Sequence, residues 1–184
     1  MKAQIIRESK RFLKESFVKH PHYSFNDWRI MYDHSILVMK FALRIAKKVS
    51  CDTSVLSIGA LLHDIGKTFE ADEEILRKEH KRLAYPVSKE FLEGLGLTLE
   101  QKRKLEEILS DGKMSVEKEI IEDADTIAFF ADKKLQGAFK MWVQKKELKN
   151  ELKRKVDKFN KLQFPVSTEI ARNFYTALKK EWAV

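Results

Sequence analysis

Apolar residues recur at three- to four-residue spacing along nearly the whole chain, and no segment alternates with the two-residue period of a strand. That period predicts helices over residues 3–18, 27–49, 53–65, 72–94, 99–110, 115–132, 138–162 and 166–182. Asp27, Asp52, Thr98, Ser115 and Ser167 stand where side-chain N-caps belong. Gly94, Gly96 and the Asp111-Gly112 pair mark breaks, and Pro86 is expected to kink or split its helix. No internal repeat or linker interrupts the pattern. The predicted fold class is all-α, a single compact domain over residues 1–184 with about seven or eight helices.

One predicted helix has no polar side. Val55, Leu56, Ile58, Gly59, Ala60, Leu61 and Leu62 make it apolar almost all round, which calls for burial. It ends in His63-Asp64-Ile65-Gly66-Lys67, with Gly66 as the expected stop. An unpaired carboxylate at the end of a buried helix costs several kcal/mol, so a positive side chain or a metal ion must compensate Asp64. His34 raises the same question. At 100° per residue, Ile30, Leu37, Val38, Phe41 and Ile45 surround it. His80 shares a face with Leu76, Leu83, Ala84, Val87 and Phe91 if its helix runs through Pro86. In the 115–132 helix, Asp123 and Asp125 flank an apolar face from opposite shoulders, and periodicity does not choose between them. Taken singly, each histidine reads as a hydrogen-bonded core residue and each aspartate as a solvated one. Taken together, inward histidines and carboxylates from separate helices can satisfy one another through a divalent cation. Imidazole with carboxylate suits Mn²⁺, Fe²⁺, Co²⁺, Ni²⁺ or Zn²⁺ over Ca²⁺. His63 and Asp64, being adjacent, can converge only off the helix end.

Charge changes the picture in one place. The 184 residues carry a net charge of +8, and residues 133–161 hold 11 Lys/Arg against 3 Asp/Glu, so the remainder is neutral. Leu148, Leu152, Val156 and Phe159 give this segment an amphipathic stripe. It reads either as a helix with a solvated lysine face or as a surface for phosphates or RNA. No window approaches the roughly 18 to 20 apolar residues of a membrane span, and the charged start is not that of a signal peptide. The lone Cys51 cannot form an internal disulfide. A cytoplasmic protein with no membrane partner is expected, and a homodimer is compatible with a small helical domain.

The chain resembles the HD-domain phosphohydrolases. His34 opens H-x3-V-x3-A-x2-I-A, with Val38, Ala42, Ile45 and Ala46 in place; LLHDIGK carries His63-Asp64; and IEDADTI carries Ala124-Asp125. The likeness covers roughly residues 30 to 132, the motif core of a domain counted from about residue 27, with basic helices over 133–184. It implies that His34, His63, Asp64 and Asp125 ligate one divalent transition metal (Mn, Co, Ni, Fe or Zn, with Mg admitted), and it selects Asp125 over Asp123. The implied activity is hydrolysis of a small phosphorylated substrate, a nucleotide first of all, at a phosphomonoester or pyrophosphate bond. Metal-activated water would attack phosphorus, with Asp64 orienting the water or taking its proton. Lys67, read as catalytic with Asp64, would also hold substrate, together with Arg29, His80 and Lys113.

Some features depart from the family pattern. Members with two metals bring further histidines downstream, whereas Ser110-Asp111-Gly112-Lys113 stands here and only His80 remains, which favours one metal. The branch acting on deoxynucleoside monophosphates places a glutamate where Lys67 stands; Glu70, Glu73 or Glu74 could substitute. The run FPVSTEIARNFYTALKKEW is loosely similar to the tail of the branch that removes pyrophosphate from nucleoside triphosphates, and the Gly-Tyr-Pro signature of second-messenger phosphodiesterases is absent. The alternative reading is a catalytically weak module on the same fold, binding RNA or another polyanion through residues 133–161.

Overall fold

The segment that is apolar on every side lies at the centre of the fold. The computed structural model describes residues 2–20, 25–110, 112, 114–148 and 150–182. Its elements are α1 (Lys2–Lys19), α2 (Trp28–Ile45), α3 (Thr53–Leu62), α4 (Glu73–Gly94), α5 (Leu99–Leu109), α6 (Val116–Ala131), α7 (Lys133–Lys145), α8 (Glu151–Asp157) and α9 (Pro165–Trp182). Short 3-10 turns follow α3 (Ile65–Thr68) and α8 (Lys158–Lys161). No strand occurs among the described residues. The all-α expectation holds.

Helix α3 is buried from Val55 through Leu62, enclosed by α1, α2, α5 and α6. Gly59 permits this crowding, since a Cβ there would sit 3.0 Å from both Ile108 and Ile121 side chains. Helix α2 lies against α3 and α6, and α9 covers α6. Asp27, Asp52, Thr98 and Ser115 cap their helices by accepting backbone N–H groups, Thr98 in a reciprocal capping box with Gln101.

Four expectations need correction. Ser167 is a buried residue inside α9, which begins instead at Pro165, where a missing N–H does no harm. Helix α4 is not split at the exposed Pro86 but runs on through it. The single helix expected over 138–162 is two, because α7 ends in a chain reversal. There Glu147 takes a positive φ of 54°, its N–H bonds the Gln144 carbonyl at 3.2 Å, and Leu148 N–H bonds that of Val143 at 3.1 Å. Glycine normally fills this left-handed position and announces the break; a glutamate there gave no signal.

Gly66 is the fourth. It does not stop a helix through a left-handed conformation, since no glycine in the described chain has positive φ. Its role is contact: a Cβ would lie 1.9 Å from the His80 carbonyl oxygen and 2.8 Å from Ala84 N. The 3-10 turn is thereby pressed backbone to backbone against α4, which brings Asp64 and His80 together. Gly66→Ala should therefore cost about 3 kcal/mol or more, a fall in Tm of about 6–12 °C for a domain of this size. A thermal melt followed by circular dichroism checks it; an unchanged Tm would refute the packing role.

Candidate metal centre

Three helices aim one side chain each at a common point. His34 occupies the middle of the buried stripe of α2 and is 2% exposed. His63 caps the end of α3, and Asp125 comes from α6. His34 Nε2 lies 3.0 Å from Asp125 Oδ1, and His63 Nε2 lies 3.9 Å from the same oxygen. One ligand atom from each of the three falls within 4.8 Å of the others, a group that could hold a metal ion.

The hydrogen bonds around His63 prepare it for that role. Its Nδ1–H donates to the Ala60 carbonyl at 2.8 Å, which leaves the lone pair on Nε2. That nitrogen is buried without a hydrogen-bond partner, and burial, only partly offset by Asp64 and Asp125, lowers the imidazole's proton affinity. A carbonyl behind one nitrogen and an open lone pair on the other is the usual arrangement of a metal-bound histidine. The neighbours of that lone pair are carboxylate oxygens, at 3.5 Å (Asp64) and 3.9 Å (Asp125). Acceptors gathered around an acceptor call for a cation. The donor set fits a divalent transition metal.

Asp64 is compensated differently. Lys67 Nζ lies 2.5 Å from its Oδ2, and His80 Nε2 lies 3.3 Å from its Oδ1. Burial alone would raise this carboxyl's pKa, but Lys67, His63 and His80 together hold it well below the usual range. The positive side chain that a buried Asp64 calls for is Lys67. Asp125, also raised by burial, is brought well below its ordinary value by Lys158, His34 and Lys155; Lys158 Nζ stands 3.3 Å from its Oδ2.

The choice between the aspartates of α6 is now physical. Asp123 turns away from the histidines and accepts the N–H groups of Gln163, at 3.0 and 3.1 Å, and Phe164, at 3.1 Å. It pins the approach to α9 and is 2% exposed, and that burial raises its pKa.

Other expected site residues are placed unevenly. His80 sits beside Asp64, its Nδ1–H donating to the Leu76 carbonyl at 2.8 Å. Arg29 is not brought to the cluster: it is exposed, 3.5 Å from Asp27 and 5.2 Å over the Trp28 ring. Five residues separate it from His34, but it stands two after the N-cap Asp27, whose carboxylate accepts its backbone N–H at 3.0 Å and keeps it at the helix start. Lys113 lies outside the described residues. Glu73 is engaged by Trp142 and Lys146, at 2.6 and 2.9 Å, and Glu74 by Lys78 at 2.7 Å; Glu70 is exposed. Two residues at the site were missed, Lys155 and Lys158. Their three-residue spacing puts them on one side of a helix, yet nothing in the pattern separates them from the other basic residues of 133–161.

The HD-domain family pattern matches residues 31–133, and the chain belongs to that family, a superfamily of metal-dependent hydrolases. The chain is also similar to the tRNA (cytidine(56)-2'-O)-methyltransferase of Picrophilus torridus, 34% identical over 104 residues that cover 51% of this chain and 30% of that enzyme. Less than a third of the methyltransferase is thus shared. No solved structure matches. No helix among the described residues is long and apolar enough to cross a membrane.

Proposed function

We propose that this protein is a metal-dependent phosphohydrolase acting on a small phosphorylated substrate, a nucleotide in the first place, with His34, His63, Asp64 and Asp125 holding one divalent transition metal. The observation that carries the reading is His63 Nε2, a buried lone pair with no partner, facing two carboxylates. When bound, the ion would polarise the phosphoryl group and lower the pKa of a coordinated water.

The chain's own residues supply the rest. The Ala60 carbonyl fixes the His63 tautomer, and burial in the α2 stripe holds the His34 ring beside Asp125. Asp64 changes partners in this scheme. It leaves Lys67, keeps His80 at Oδ1, and orients water or accepts its proton at Oδ2. The ammonium of Lys67 then meets a substrate phosphate as a point charge. One exchange thus arms the carboxylate and the cation together.

The test is a hydrolysis screen with Mn²⁺ or Co²⁺ over nucleoside mono-, di- and triphosphates. A transfer RNA belongs in the screen too, because the relative's name ties it to one. The expected result is release of orthophosphate or pyrophosphate that a chelator stops. Protein that carries metal yet cleaves none of them would overturn the reading.

A further inference from the structure

Three ammonium groups converge on two carboxylates at the site. Lys67 meets Asp64 at 2.5 Å and Lys158 meets Asp125 at 3.3 Å. Lys155, half-buried, makes no ion pair among the described residues. Its ammonium lies 4.6 Å from the Phe129 ring centre and 5.2 Å from that of Phe139. Ring faces attract a cation, but weakly compared with a carboxylate. Burial, and repulsion from Lys158 and Lys67 that outweighs the pull of Asp125 and Asp64, lower the Lys155 pKa to about 7. The neighbouring Lys81–Glu122 pair, at 3.3 Å, is neutral and leaves this balance untouched.

A half-buried lysine without a carboxylate, repelled by two others, is an uncomfortable arrangement that an anion would relieve. The surplus also indicates how much anion. Among the described residues three lysines face two carboxylates, so a protonated Lys155 leaves one positive charge, and a divalent ion at the site would raise the surplus to three. A phosphomonoester dianion neutralises only part of that; a di- or triphosphate chain matches it.

We infer that Lys155 and Lys158, together with Lys67, form a phosphate-chain subsite beside the His34/His63/Asp125 group, so that the substrate class is a nucleoside di- or triphosphate rather than a monoester. The naming of a substrate rests on the hydrolase reading above; the anion subsite itself does not. Both added lysines lie beyond the matched HD region, which ends at residue 133. The C-terminal segment thus becomes part of the site, delivered there by the reversal at Glu147 and the anchoring of residues 163 and 164 on Asp123.

The test is calorimetric titration of the metal-free protein with inorganic tripolyphosphate and with orthophosphate, so that hydrolysis plays no part. Tripolyphosphate should bind at least about tenfold more tightly than orthophosphate, and Lys155→Gln and Lys158→Gln should each weaken it about fivefold or more. Lys153→Gln and Lys161→Gln, exposed on the same segment, should change it less than about twofold if the effect is a built subsite and not diffuse charge. Lys155→Arg should restore most of the affinity, which guards against a loss caused only by disturbed packing on the rings. Equal losses in all four glutamine variants, or orthophosphate binding as tightly as tripolyphosphate, would overturn the subsite. Tripolyphosphate bound through these lysines by a chain that takes up no metal would sink the hydrolase reading alone. Metal-dependent hydrolysis with no lysine-specific binding would sink the subsite alone.

Discussion

Asp125→Asn should lower metal affinity at least about a hundredfold and hydrolysis about a thousandfold, with the fold intact. The amide is isosteric and its oxygen can still accept from His34 Nε2, now 3.0 Å from Asp125 Oδ1. What disappears is the negative charge of the His34/His63/Asp125 group. The same substitution two residues earlier is the control. Asp123 spends its oxygens on the N–H groups of Gln163 and Phe164, so Asp123→Asn should leave metal content at the wild-type level and act on stability. Metal content and initial rate, measured on both variants in parallel, decide the matter. Equal losses would mean that the two aspartates are not divided as described, and the site would have to be redrawn.

The second large effect belongs to Lys67. Lys67→Met removes the ammonium from a carboxylate that is 6% exposed, leaving His80 at 3.3 Å as its remaining close partner in the ion-pair set with His63 at 3.5 Å. Breaking one side of a buried pair costs about 3–5 kcal/mol, so the metal-free variant should melt about 6–20 °C lower than wild type. Saturating Mn²⁺ should recover more of the Tm in the variant than it adds to wild type, since Lys67 and the metal compete for Asp64 in the proposed exchange. Hydrolysis should nonetheless stay depressed, because the cation offered to the substrate phosphate is gone. A variant as stable as wild type without metal would contradict the role given to the Lys67–Asp64 pair.

The sequence was legible where chemistry contradicts its surroundings. His34 in an apolar stripe and His63-Asp64 at the end of an all-apolar helix stand out because burying them without partners is costly. In the structure His34, His63 and Asp125 do come together. Resemblance, not periodicity, singled out Asp125, and the geometry supplies the reason: its neighbour Asp123 is occupied in anchoring α9. Less legible were features whose cause lies in tertiary contact. Gly66 reads as a helix stop from its type alone, yet its use is the 1.9 Å approach that a Cβ would make to His80. The reversal at Glu147 has no glycine to announce it, so two helices read as one. That single error hid Lys155 and Lys158, since a continuous helix gave no reason to fold a lysine-rich face back onto the site. Arg29 is the opposite case: it is near His34 in sequence, yet stands exposed beside Asp27 and Trp28.

Metal analysis asks whether the His34/His63/Asp125 group with Asp64 holds an ion. The protein is purified without added metal or affinity tag, beside a His63→Ala variant, and both are assayed by mass spectrometry for elements. The expected result is about one divalent transition metal per chain in the wild type and a loss of most of it in the variant. Metal absent from the wild type even after incubation with Mn²⁺, Co²⁺ or Ni²⁺ would contradict it. So would metal bound equally by both proteins.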